Sequence, residues 1–154
     1  MAKSKNDTVE LFVKSMHMAY SDIKTFLRNK LRASDMDLTF EMLQVLSFLW
    51  SRPGQNQQEI ASLLHKDKAS VTYLVDNLSK RGLVERARDE KDRRNKIIIL
   101  TARGLALKKK MRPWIDEMFM VAGKDIKAED LKYGIQLFEK IRNNMQAGGV
   151  YLEK

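Results

Sequence analysis

"GLVERARDEKDRRNKIIILT", residues 82–101, carries two opposite instructions. From Arg88 to Arg94 every residue is charged, and from Ile97 to Leu100 none is. The flanks "LVERA" and "KIIILT" are rich in branched apolar residues, which favour extended chain. The charged run then reads as the solvated tip of a β-hairpin, and "IIIL" as its return strand packing on an apolar layer. Gly82, immediately upstream, suits the end of a helix, where a left-handed residue closes the last turn.

Upstream of Gly82, Asp67 is placed to cap a helix running to about Arg81, with Val71, Leu74, Val75 and Leu78 on one stripe. A brief His65-Lys66 turn separates it from a short helix. Asn56 and Glu59 open that helix with capping-box spacing, and Ile60, Leu63 and Leu64 are expected inward. "SRPGQ" stops an earlier helix, Phe40 to Trp50, which Thr39 can cap. "RASDMD" divides that helix from a long first one, Val9 to Leu31, with Phe12, Met16, Tyr20, Ile23 and Leu27 on its stripe.

Downstream, Thr101 can cap a fifth helix that Pro113 should kink. A sixth, Leu131 to Met145, follows "GKDIKAED", with Leu131, Ile135, Phe138 and Ile141 on one side. "QAGGVYLEK" reads as a frayed tail. The expected fold is mainly α with a small β-hairpin wing: a winged helix-turn-helix carried by six helices.

Charge narrows the function. The chain has 154 residues, 44% of them hydrophobic, and a formal net charge of +9. Residues 80–112 hold thirteen Lys or Arg against four Asp or Glu, an excess equal to the net charge of the whole chain. The basic character is therefore local, and it coincides with the hairpin. Such a patch suits a polyanion, and duplex DNA above all. The major groove admits the second helix of the pair, while the hairpin reaches along the backbone or into the minor groove.

On the helix from Asp67, the side opposite the core stripe carries Ala69, Tyr73, Asp76 and Lys80, flanked by Ser70, Thr72 and Asn77. Small and hydrogen-bonding side chains there suit close approach to base edges.

Other classes find little support. The chain has no cysteine, which excludes disulfides, thiol catalysis, Cys-ligated zinc and cysteine-based redox sensing. His17 and His65 fall on different elements, so no metal or other cofactor is expected. His65, in the turn, is expected at the surface or facing phosphate. No Walker loop, GxGxxG after a strand or HExxH occurs, so an enzyme is not expected. "MAKSKNDTVE" lacks the apolar stretch of a signal peptide, and no apolar run approaches the roughly 20 residues of a membrane span. A cytoplasmic protein with no membrane partner is expected.

Residues 56–104 resemble the DNA-binding core of MarR-family transcriptional regulators. Asp92-Arg93-Arg94, Leu100-Thr101 and Gly104 match the family's D-R-R…L-T…G pattern from wing to fifth helix. "SVTYLVDNL" is similar to its recognition helix, "RGLVER" to the turn into the wing and "LTFEMLQVLSFL" to its second helix. The resemblance extends to the order and length of all six helices.

It implies a homodimer, with residues 1–37 and 102–154 forming the dimerisation layer and residues 38–101 the DNA-binding domain. The apolar stripes of the first, fifth and sixth helices support this separately, since a monomer of this size would struggle to bury them all. A two-fold dimer implies a pseudo-palindromic operator with half-sites roughly 34 Å apart. A repressor function is implied, with release by a small aromatic or amphipathic ligand. The alternative is a winged-helix architectural or protein-interaction module without a small-molecule effector.

Carried over residue by residue, the resemblance assigns Arg94 to the minor groove and makes Asp92 a wing-bracing acid. Ser70 and Thr72 fall at recognition positions, and Lys68 approaches phosphate at the helix start. Arg86, Arg88, Lys91, Arg93 and Lys96 are candidate phosphate contacts. Tyr73 and Asn77 depart from the family, where arginine is common. Base preference there is open, and Tyr73 could stack or touch a thymine methyl. For a ligand cleft the candidates are Met16, His17 and Tyr20 of the first helix, Phe48 and Trp50 of the second, and Trp114 and Phe119 of the fifth.

Overall fold

The computed structural model describes residues 4–89 and 95–148. Helix α1 (Lys5–Arg32) starts earlier than its apolar stripe, because Ser4 and Asp7 form a reciprocal capping box. Helix α2 (Phe40–Ser51) is capped by Thr39, whose hydroxyl accepts from the Met42 amide at 3.1 Å. Seven of its residues are buried, as expected of a helix apolar on most sides. Gly54, at φ +73°, turns the chain into β1 (Gln55–Asn56).

Asn56 and Glu59 close the capping box of α3 (Gln57–Leu64). Ile60 and Ala61 are buried there, but Leu63, expected inward, is exposed. The eight-residue helix turns only Ile60 and Ala61 fully into the shared core and leaves Leu63 on its outer flank. His65 adopts the left-handed conformation (φ +49°) that ends α3. It is an exposed cap residue. Helix α4 (Lys68–Lys80) buries Val71, Leu74, Val75 and Leu78, the stripe the spacing predicts. Gly82 (φ +65°) then turns the chain into β2 (Val84–Arg88), which pairs antiparallel with β3 (Lys96–Leu100).

The hairpin forms as expected, with one addition. β1 pairs with the other edge of β3, Gln55 with Ile98 and Asn56 with Ile97, giving a sheet in the order β1-β3-β2. Two polar residues carry no alternation, so β1 is invisible to a periodicity reading. Being the central strand explains "IIIL": Ile98 has both neighbours paired and is fully buried.

Helix α5 (Ala102–Ala122) continues through Pro113 as one helix. Helix α6 (Ala128–Ala147) extends beyond the expected Leu131–Met145 at both ends.

The chain divides into two compact units, Met1–Met118 and Phe119–Lys154. In the first, one core joins α2, α3, α4, Leu83, Val84 and Ile98. A second cluster joins Leu27 and Leu31 of α1 to Phe40, Leu43 and Met111. In the second unit, α6 has no buried residue in the single chain, and Leu131, Tyr133, Ile135 and Phe138 are exposed.

Candidate nucleic-acid interface

The wing is rooted by the threonine and the glycine of the "L-T…G" stretch. The Thr101 amide donates to the Leu83 carbonyl at 3.1 Å, and the Thr101 hydroxyl donates to the Gly82 carbonyl at 2.6 Å. That hydroxyl also accepts from the Gly104 amide at 3.1 Å, capping α5. Gly104 lies against the Leu83 backbone, so that a Cβ there would stand 2.1 Å from the Leu83 carbonyl oxygen. The Trp50 indole donates to the Gly104 carbonyl at 3.0 Å. The spacing of threonine and glycine is thus the geometry that docks α5 on the wing root.

The candidate recognition helix α4 begins at Asp67, whose carboxylate accepts from the Ser70 hydroxyl at 2.6 Å and the Ser70 amide at 2.8 Å. These bonds, the hydroxyl first, hold the Asp67 pKa below its ordinary value of 3.8. Its capping contribution is complete above that ordinary value and is lost as pH falls below it, through the lowered folded-state value. Asp67→Asn keeps a capping oxygen without the charge. Acid titration of α4 amide protection is therefore expected to show a loss in wild type that is absent in Asp67→Asn. An identical loss in both would mean that another group controls the helix start.

Several predicted contact residues are engaged within the protein. Ser70 is held by Asp67. The Thr72 hydroxyl donates to the Lys68 carbonyl at 2.8 Å and accepts from Gln57 Nε2 at 3.1 Å, linking α3 to α4. Asn77 Nδ2 donates to the Tyr73 carbonyl at 2.9 Å, and its Oδ1 accepts from Arg81 at 3.3 Å. Arg81 is itself anchored on Asp37, donating to its carbonyl and its carboxylate at 2.6 Å each. Lys68 and Tyr73 are exposed, with no side-chain hydrogen bond among the described residues.

On the wing, Arg86 pairs with Asp76 of α4 at 2.6 Å. The pair ties β2 to the helix and makes Asp76 a wing-bracing acid that the sequence reading did not single out. One of its two residues lies on the outward side of the helix and the other in the strand, and their pairing depends on register. Arg88 and Lys96 stand directly opposite each other, both exposed. Arg86, two residues along, lies on the same face of the ribbon. Lys91, Asp92, Arg93 and Arg94 fall outside the described residues.

A cavity of about 550 Å³ opens beside α2 and α5, with Leu27, Phe40, Leu43, Met111 and Ile115 among its apolar walls. Phe48 and Trp50, two of the candidate ligand residues, line it. Gln44, Ser47, Ser51, Lys108 and Arg112, which the sequence reading missed, supply its polar groups. Met16, His17, Tyr20, Trp114 and Phe119 are not among its lining residues. Met16, His17, Tyr20 and Phe119 are exposed, and Trp114 packs beside the Leu27–Met111 cluster. Helical spacing identifies a face but not which cavity that face borders. No group of three or more His, Asp or Glu poised for a metal ion occurs among the described residues.

A short helix, a turn, an exposed second helix and a basic three-stranded wing define a winged helix-turn-helix protein. Residues 38–96 match the sequence pattern of the MarR family. The HosA transcriptional regulator of Escherichia coli O157:H7 is 30% identical over 110 residues, covering 70% of this chain and 79% of HosA. The chain belongs to the MarR family. The transcriptional regulator TtmR of Methylorubrum extorquens strain PA1 is 41% identical over 75 residues, which are 49% of this chain and 38% of that protein. Among solved structures, S. aureus MepR in its DNA-binding conformation superposes with a TM-score of 0.77 at 25% identity, covering 87% of this chain and 98% of MepR. MepR has also been solved in complex with DNA.

Proposed function

We propose that this protein is a sequence-specific DNA-binding transcriptional regulator, a repressor that binds a pseudo-palindromic operator as a homodimer. The observation that carries this reading is the pairing of Arg88 with Lys96 across the wing, beside Arg86. Like charges directly opposite each other destabilise a free hairpin. A row of phosphates relieves that repulsion, so an arrangement unfavourable in isolation becomes favourable on a nucleic-acid backbone.

The exposed side of α4 next to that wing supplies the element for the major groove. Lys68 approaches phosphate at the helix start. As the family resemblance implies, Arg94 is assigned to the minor groove, Arg93 to phosphate and Asp92 to bracing the wing. The dimer layer is assigned to residues 1–37 and 102–154. The exposed apolar row of α6 supports this, since an isolated chain leaves it in water.

The cavity beside α2 and α5 is of the size that takes small organic ligands. A small aromatic or amphipathic ligand held there, against Phe48 and Trp50, releases the operator. No helix among the described residues is long and apolar enough to cross a membrane. The cytoplasm, where the chromosome is accessible, is the assigned compartment. Enzymatic activity is not part of this function.

Selection on a random duplex library at near-physiological salt tests the proposal. The expected product is an inverted repeat with half-sites about one helical turn apart, roughly 34 Å. With Lys68, Arg88 and Lys96 on phosphate in both subunits and Arg86 held by Asp76, log K should fall against log salt with a slope of about −5. Tight binding without a motif would point to an architectural role. A slope near zero would remove the phosphate contacts and the proposal with them.

A further inference from the structure

We infer that Tyr73 sets the base preference of each half-site by seating its ring against the C5-methyl group of a thymine in the major groove. This rests on the DNA-binding reading above. The outward side of α4 contains polar groups suited to base edges, but most are already occupied. Ser70 is bonded to Asp67 at 2.6 Å, Thr72 bridges Gln57 and the Lys68 carbonyl, and Asp76 is paired with Arg86 at 2.6 Å.

Bidentate reading of a base by asparagine requires both ends of the amide. Both ends of Asn77 are in use, one held by an arginine that Asp37 anchors in turn. A side chain that must break a bond in order to make one gains little from the exchange.

Tyr73 differs in each respect. It is 67% exposed, and its hydroxyl has no partner among the described residues. Ala69 lies one turn before it on the same face, so ring and methyl form a small apolar patch on a surface otherwise polar. Burying neither residue serves the core. In the major groove thymine is the base whose edge presents an apolar group. An apolar patch on a recognition helix and a methyl group on a base edge are complementary, and water is released from both when they meet.

The test uses the preferred duplex selected with the wild-type protein. Each thymine is replaced in turn by uracil, which removes the methyl group and leaves every hydrogen-bonding atom. One thymine per half-site is expected at which the change weakens wild-type binding about fourfold. Tyr73→Ala should bind thymine and uracil duplexes equally at that position. Tyr73→Phe should keep the wild-type discrimination, since the ring makes the contact. Both variants alter an exposed side chain, and their melting temperatures verify that the fold is kept.

Insensitivity of the wild type to every uracil overturns the inference while leaving a DNA-binding regulator. So does discrimination that persists in Tyr73→Ala, or that Tyr73→Phe abolishes, since the phenol hydroxyl would then be the reading group. Failure of the wild type to select any motif overturns both this inference and the function on which it rests.

Discussion

Gly104→Ala is expected to lower the melting temperature by about 10 °C, corresponding to a loss of about 3 kcal/mol. The new Cβ would stand 2.1 Å from the Leu83 carbonyl oxygen and 3.1 Å from its carbon. Both are backbone atoms, and no rotamer change can move them aside. The Leu83 carbonyl accepts from the Thr101 amide, while the Gly104 carbonyl accepts from the Trp50 indole. Relief by sliding α5 would therefore break bonds on both sides of the contact. Leu83 is also the last residue before the wing, so the strain falls on the wing root as well as on the core. Thermal unfolding checks the prediction, and a shift of only a degree or two would mean that α5 and the wing root separate at little cost.

Lys96→Glu should act on stability and on DNA affinity in opposite directions. In the free protein Lys96 faces Arg88 across the strands. Reversal of its charge converts a like-charge pair into an attractive one, which should stabilise the hairpin by a few tenths of a kcal/mol and at most about 1. On the proposed interface the same change would take an ammonium off a phosphate and place a carboxylate near the backbone, in each of two subunits. Operator affinity should fall at least about a hundredfold, because each subunit forfeits a charge-assisted hydrogen bond to phosphate. The salt slope should shrink by about two. A side chain that merely shapes the wing would move stability and affinity together. Affinity that is unchanged, or that rises and falls with stability, would therefore take Lys96 out of the interface.

Asp76 shows how far a helical wheel reaches. The wheel places Asp76 on the outward side of α4, and the strand pattern places Arg86 in the wing. That the two meet at 2.6 Å follows from the β2–β3 register and the seating of α4 on it. The candidate ligand residues behave in the same way. Phe48 and Trp50 sit on α2, which is buried on most sides, so their helix alone brings them to the cavity wall. Met16 and Tyr20 belong to the apolar stripe of α1, with His17 beside them, and a stripe says that a face is apolar without naming its occupant. Lys108 and Arg112, polar residues in a basic run, carry no signal for a cavity at all.

The helices, their caps, the charged hairpin and the stripe of α4 were determined by the chain itself. The caps and stripes depend on residues within about four positions of one another, and the hairpin on the alternation within two neighbouring strands joined by one turn, where helical rise and pleat fix geometry before any distant contact forms. The third strand, the exposure of Leu63, the engagement of Thr72 and Asn77, the Asp76–Arg86 brace and the fit of Gly104 on Leu83 were decided only by the tertiary structure. Those features join groups as far apart as Arg81 and Asp37, separated by 44 positions along the chain. Over such spans the backbone is free to bring many partners together, and packing of the shared core selects one arrangement among them.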